Sequence, residues 1–167
     1  MTKRSKGTII IPAGVEVWEH ELKTAQVLAD FGYTICFIER SNGHGIKSAD
    51  ILIDNEPYEI KSPIASKLSA VERNLKRAYH QSTNIVFDSR RMKWLPDKSI
   101  QKELVKQLKL TKNIKSILFV NRKHEVIDVN TLIWYYRDTE AKHGAGCSYR
   151  KASFILLRPS DNSLLFA

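Results

Sequence analysis

Asp50, Glu59 and Lys61 are the residues of this chain best spaced to do chemistry. Asp50 opens an apolar run, Ile51-Leu52-Ile53, and a turn-rich Asp54-Asn55-Glu56-Pro57 follows. Glu59-Ile60-Lys61 then sets an acid and a base two residues apart. Positions two apart on a strand share a face, so Glu59 and Lys61 point together while Ile60 points to the other side. With Asp54 to Pro57 as the turn, Leu52 lies opposite Glu59 and Asp50 opposite Lys61, which brings the three charged groups to one face. Two hard carboxylate oxygens completed by water suit Mg²⁺, and another divalent cation such as Mn²⁺ fits the same set. The ammonium can then orient or help deprotonate an attacking water, or neutralise charge building on a phosphate. The same short pattern also reads as a surface hairpin with an incidental salt bridge.

Charge narrows the class of partner. The 167 residues carry 27 Lys and Arg against 18 Asp and Glu, a net charge of +9. That balance points to a polyanion: nucleic acid first, then an anionic membrane surface or an acidic protein. The length fits one domain with a proper core, or a domain plus a small appendage. Cys36 and Cys147 show no zinc or disulfide spacing, and Cys36, inside an apolar run, reads as a small buried hydrophobe. The five histidines, including His44 in the Gly43-His44-Gly45 loop, show no ligand spacing, and no elbow motif supplies a Ser-His-Asp hydrolase. The apolar run Thr8 to Ile11, ended by Pro12, is too short for a signal peptide or a membrane span. The expectation is action in a reducing cytoplasm, with no membrane partner.

Several elements must hold the hairpin in place. Pro12-Ala13-Gly14 leads into a helix expected over Val15 to Phe31, with Trp18, Leu22, Ala25, Leu28 and Ala29 on its apolar stripe and Gly32 as its stop. Glu21 falls within that stripe, where an acid either finds a partner, such as a metal, or reaches solvent from the stripe's edge. A strand follows over Tyr33 to Glu39, then a loop over Arg40 to Lys47, then the hairpin strands Ala49 to Asp54 and Tyr58 to Lys61. Ser69 to Gln81 reads as a second helix, with Ser69 as N-cap and Glu72 completing a capping box. Its Asn74, Arg77 and Gln81 share one face, which suits phosphate contact or simple solvation. Thr83 to Asp88 is a strand, Asp97 to Leu110 a helix with Ile100, Leu104 and Leu108 inward, and Lys115 to Val120 and Glu125 to Val129 are two more strands. The order gives an α/β sandwich with helices on both faces of a mixed sheet.

Arg90 and Arg91 lie just past a strand end, where α/β sheets tend to meet ligands. From Arg90 to Lys123 only Asp97 and Glu103 oppose the basic residues, an excess that counterion release on a nucleic-acid backbone would explain. Beyond Asn130 the texture changes, with Trp134-Tyr135-Tyr136 and a small polar stretch from Lys142 to Ser148. Residues 1–130 are therefore expected as one domain, and 131–167 as an extension packed on it or extending it.

The hairpin with its leading helix resembles the PD-(D/E)xK nuclease superfamily, of restriction-endonuclease-like fold. Longer blocks sharpen this: His20-Glu21-Leu22-Lys23-Thr24-Ala25, Leu28-Ala29, Gly32-Tyr33, Ser48-Ala49-Asp50, Glu59-Ile60-Lys61-Ser62-Pro63, Asn74-Leu75-Lys76-Arg77-Ala78 with Gln81, and Asn84 to Arg91. Together they resemble the C-terminal toxin domains of CdiA-type contact-dependent growth inhibition proteins, in the branch that cleaves tRNA. The resemblance covers about Glu16 to Val129. It implies Asp50, Glu59 and Glu21 as metal ligands, Lys61 as the catalytic base, and Asn74, Arg77 and Gln81 beside the site. It also implies a tRNA substrate, a cognate immunity protein, and delivery into a bacterial cytoplasm as part of a larger secreted effector. The rival readings are a DNA endonuclease of restriction or repair type and an inactive nucleic-acid-binding module. The absence of a helix-turn-helix or zinc-finger motif disfavours sequence-specific DNA binding.

Overall fold

The computed structural model describes residues 5–39 and 49–133. The loop residues 40–48, with His44, and the chain from Trp134 onward, with Cys147 and most of the expected extension, lie outside the described residues. A short strand β1 (Ile9–Ile10) precedes helix α1 (Glu19–Asp30) and strand β2 (Ile35–Phe37). The hairpin β3 (Ile51–Ile53) and β4 (Glu56–Lys61) follows, then α2 (Ser69–Ala78), β5 (Asn84–Asp88), α3 (Asp97–Leu110), β6 (Ser116–Val120) and β7 (Val126–Asp128).

The strands form one seven-stranded sheet in chain order. β1 runs parallel to β2, β2–β3 and β3–β4 are antiparallel, β4–β5 and β5–β6 are parallel, and β6–β7 is antiparallel. Alternation then sorts side chains onto two cores. Ile85, Phe87, Ile117 and Phe119 meet Val71 and Leu75 of α2 and Ile100 and Leu104 of α3. Ile51, Tyr58, Ile60, Val86 and Leu118 meet Ala25 and Leu28 of α1 on the other face. This is the expected mixed sheet flanked by helices on both sides. Val129 and Leu132 join the α2–α3 core.

Several local expectations give way. The first helix begins at Glu19 rather than Val15, because Val15 and Val17 are half-buried while Glu16 and Trp18 are exposed. That is the period of extended chain, and Trp18 itself is extended at φ −77° and ψ 145°. Trp18 and Leu22 accordingly face outward, and the buried stripe of α1 runs through Glu21, Thr24, Ala25 and Leu28. Gly32, at φ +98°, ends the helix as expected, with the Tyr33 amide donating to the Leu28 carbonyl. Gly7 packs so tightly on Tyr33 that a Cβ there would lie 1.8 Å from its carbonyl oxygen. In α2, Ser69 is the first helical residue rather than the N-cap, and Glu72 pairs with Lys76 instead of closing a capping box. Gln81 lies in the turn after that helix.

The hairpin turn is also tighter than expected. Asp54 and Asn55 alone make it, at φ 48° and 71°, so Pro57 joins β4 and pairs with Leu52. Both residue types tolerate the left-handed region that a two-residue hairpin turn demands.

Candidate active site

The tighter turn shifts the pairing by two residues. Ile51 lies opposite Tyr58 and Ile53 opposite Glu56, so continuing the ladder sets Asp50 opposite Glu59 instead of Lys61. A shift of two preserves the face of every side chain, whereas a shift of one would reverse it. Asp50, Glu59 and Lys61 therefore still share one side. It is the side of Ile85 and Phe87, to which Glu59 and Lys61 are paired on β5.

The ends of the strands lock the group. The Asp50 amide donates to the Tyr58 carbonyl at 3.1 Å, and the Ile60 amide donates to Asp50 Oδ2 at 2.8 Å. Glu59 is 1% exposed. Its Oε1 takes an ion pair from Lys61 Nζ, which also donates to Gln81 Oε1 at 3.1 Å. Its Oε2 is buried and meets no hydrogen-bond donor among the described residues. Burial, followed by the charge of Asp50, pushes the Glu59 carboxyl up to about 7, against the opposing pull of Lys61. A buried oxygen without a donor, beside a second carboxylate on the same face, is a hard oxygen set that fits a divalent cation. Among the described residues no three His, Cys, Asp or Glu side chains gather closely enough to hold one. The carboxylates available there among the described residues are this pair.

Glu21 is buried. It rises from α1, on the Ile60 face, and its Oε2 accepts the Trp18 amide at 3.2 Å. Among the described residues Glu21 forms no metal-holding cluster with Asp50 and Glu59. Thr24 Oγ1, one turn along, donates to Asp88 Oδ2 at 2.6 Å at the end of β5.

The expected binding residues divide. Arg77 is exposed, whereas Asn74 turns its amide back onto the Ala70 carbonyl at 2.7 Å. Gln81 holds Lys61 instead of facing solvent alone. Arg90 grips the buried Asp88 through Nε and Nη2, at 3.0 and 2.6 Å to Oδ2. Arg91 Nη1 donates to the carbonyl of Ser62, the residue after Lys61, at 3.1 Å. Sequence reading took Asp88 for a strand end. It is the anchor that ties α1 and Arg90 to β5, a role no local pattern announces. Cys36, expected to be buried, is half-exposed and pairs with the likewise half-exposed Leu52.

Among the described residues no helix is long and apolar enough to cross a membrane. No curated protein matches the chain. Residues 47–126 match the family model for the contact-dependent growth inhibition CdiA C-terminal domain. A solved CdiA-CT/CdiI toxin and immunity complex from Burkholderia pseudomallei contains a chain of similar fold. The two align with a TM-score of 0.51 at 15% identity, over 73% of this chain and 98% of that one. The matched segment contains Asp50, Glu59, Lys61, α2, β5 and α3. That segment is similar to the CdiA C-terminal toxin domain, and the fold of the chain agrees with the similarity.

Proposed function

We propose that the chain is a metal-dependent endoribonuclease toxin that cleaves tRNA. The observation that carries this reading is the shared face of Asp50, Glu59 and Lys61, with a buried Glu59 oxygen that has no donor among the described residues. Asp50 and Glu59 would hold the cation, and Mg²⁺ would supply charge neutralisation at the scissile phosphate. Lys61 stands beside them, held by Gln81, where its ammonium orients the attacking water and offsets charge growing on the phosphate. Ile60 and Tyr58, buried against α1, fix the strand so that this geometry is set before substrate arrives.

The net charge of +9 favours a nucleic-acid substrate, and the blocks shared with tRNA-cleaving toxins favour tRNA within that class. A chain of similar fold was solved in a toxin and immunity complex, which supports a cognate immunity partner for this chain, one that neutralises it before delivery. Delivery as part of a larger effector follows from the same reading.

The test incubates the full chain with total RNA and with plasmid DNA, in Mg²⁺ and in EDTA. tRNA fragments that appear only with Mg²⁺ support the reading. Nicked plasmid beside intact tRNA replaces the substrate with DNA. Both polymers intact, from folded protein with metal present, overturn the nuclease reading.

A further inference from the structure

We infer that Trp94 is a stacking platform for an unpaired nucleobase of the substrate strand, at the rim of the site. This rests on the nuclease reading above and assigns the residue that would receive the strand.

Trp94 is 87% exposed, the most exposed of the large hydrophobic residues described. The loop around it is not loose. Ser89 is buried and bonded to Asp97, Arg90 is locked on Asp88, Arg91 holds the Ser62 carbonyl, and Met92 is 1% exposed. The Lys93 amide donates to the Ala65 carbonyl at 3.0 Å, and Leu95 packs against the α2–α3 core. Between those two anchors Trp94 adopts φ +67°, a left-handed backbone in which a bulky side chain is an outlier. Among the described residues the other non-glycine positive angles fall on Asp, Asn and His, which tolerate them. The fold thus holds an indole outward on a pinned, strained loop, and among the described residues no packing contact explains it.

Its position supplies the reason. The loop is tied at two points to the segment that follows Lys61, at Ser62 and at Ala65. Ala65 is four residues from Lys61, a chain reach of at most about 14 Å. Ile64, 73% exposed, lies on that facing segment. Lys67 and Lys93 are exposed nearby, and Asp97, which opens α3 after the loop, is engaged by Ser89 and Arg122. An exposed aromatic face among cations that lead to a phosphodiester site matches how single strands are gripped, with cations on the backbone and a ring under a base. A protein partner could use an exposed Trp as well, but the cations and the tie to Lys61 favour the strand.

The experiment measures binding of the full chain in EDTA to a fluorescent twelve-nucleotide oligoadenylate and to the same backbone carrying abasic sites. Trp94→Ala should weaken oligoadenylate binding about tenfold, leave the abasic strand unchanged, and be largely rescued by Trp94→Phe. Equal weakening for both strands, or none, overturns the inference. So does a Trp94→Ala chain that keeps its RNA affinity but loses a partner protein, which would assign the loop to protein contact. Failure of the nuclease reading would look different: the strand stays whole in Mg²⁺ while the Trp94-dependent difference in binding persists.

Discussion

At the scale of single residues, Glu59 sets a cost in stability against the use proposed for it. A carboxylate buried against α2, with one oxygen paired to Lys61 and the other without a donor among the described residues, is a poor choice for stability alone. Its proton is held to about 7, whereas an unfolded chain releases it near 4.5. Between those values the folded state binds more protons than the unfolded one, so this group lowers stability as pH rises through the window. Glu59→Gln removes that dependence. In EDTA the stability of the variant relative to the wild type should therefore increase from about pH 5 to about pH 8, by about 1–3 kcal/mol. Thermal melts of both chains at the two pH values check it, and a difference that stays flat or falls with pH contradicts the assignment. Asp88 makes the opposite kind of residue prediction. It is 1% exposed and serves Arg90 and Thr24 at once, so Asp88→Ala strands a mostly buried guanidinium. The expected loss is about 3–5 kcal/mol in urea unfolding, against near-neutral behaviour if the pair were a surface ornament.

At the scale of elements, the hairpin turn sets the site. Asp54 and Asn55 both sit at positive φ, and that two-residue turn puts Asp50 directly across from Glu59. Asn55→Val forces a β-branched residue into the left-handed region and should cost about 1–2 kcal/mol. Asn55→Gly should be neutral or slightly stabilising, and denaturant midpoints separate the two. Longer elements were legible because their patterns were unambiguous. Ile100, Leu104 and Leu108 drew α3 with its observed bounds, and Gly32 ended α1 where expected. The misses have physical causes. Trp18 and Leu22 match helical spacing as well as the buried residues do, and only tertiary packing tells the two stripes apart. The turn length was misjudged because Pro57 signals a loop, yet as residue two of β4 it is exposed and tolerated.

At the scale of the whole molecule, the sheet collects the ends of β3, β4 and β5 beside the first turn of α1, while positive charge dominates from Arg90 to Lys123. RNA binding should then be strongly salt-dependent. With about five phosphates neutralised, affinity for single-stranded RNA should fall roughly a hundredfold from about 50 to about 200 mM salt, and anisotropy titrations measure the slope. A shallow slope would remove the electrostatic part of the account. The convergence of Asp50, Glu59 and Lys61 was readable from the sequence because face depends only on odd or even spacing, which survived the register error. The side of the sheet on which α1 packs was not, since a buried stripe on a helix does not say which face of the sheet it will meet.

The most direct test is a double-variant cycle on single-turnover tRNA cleavage in Mg²⁺, using Glu59→Gln, Lys61→Ala and the two combined. If the two residues serve one reaction centre, each single variant loses at least about a hundredfold and the double loses little more than either. Losses that multiply, or a single variant that cleaves at the wild-type rate while folded, would contradict a shared catalytic patch.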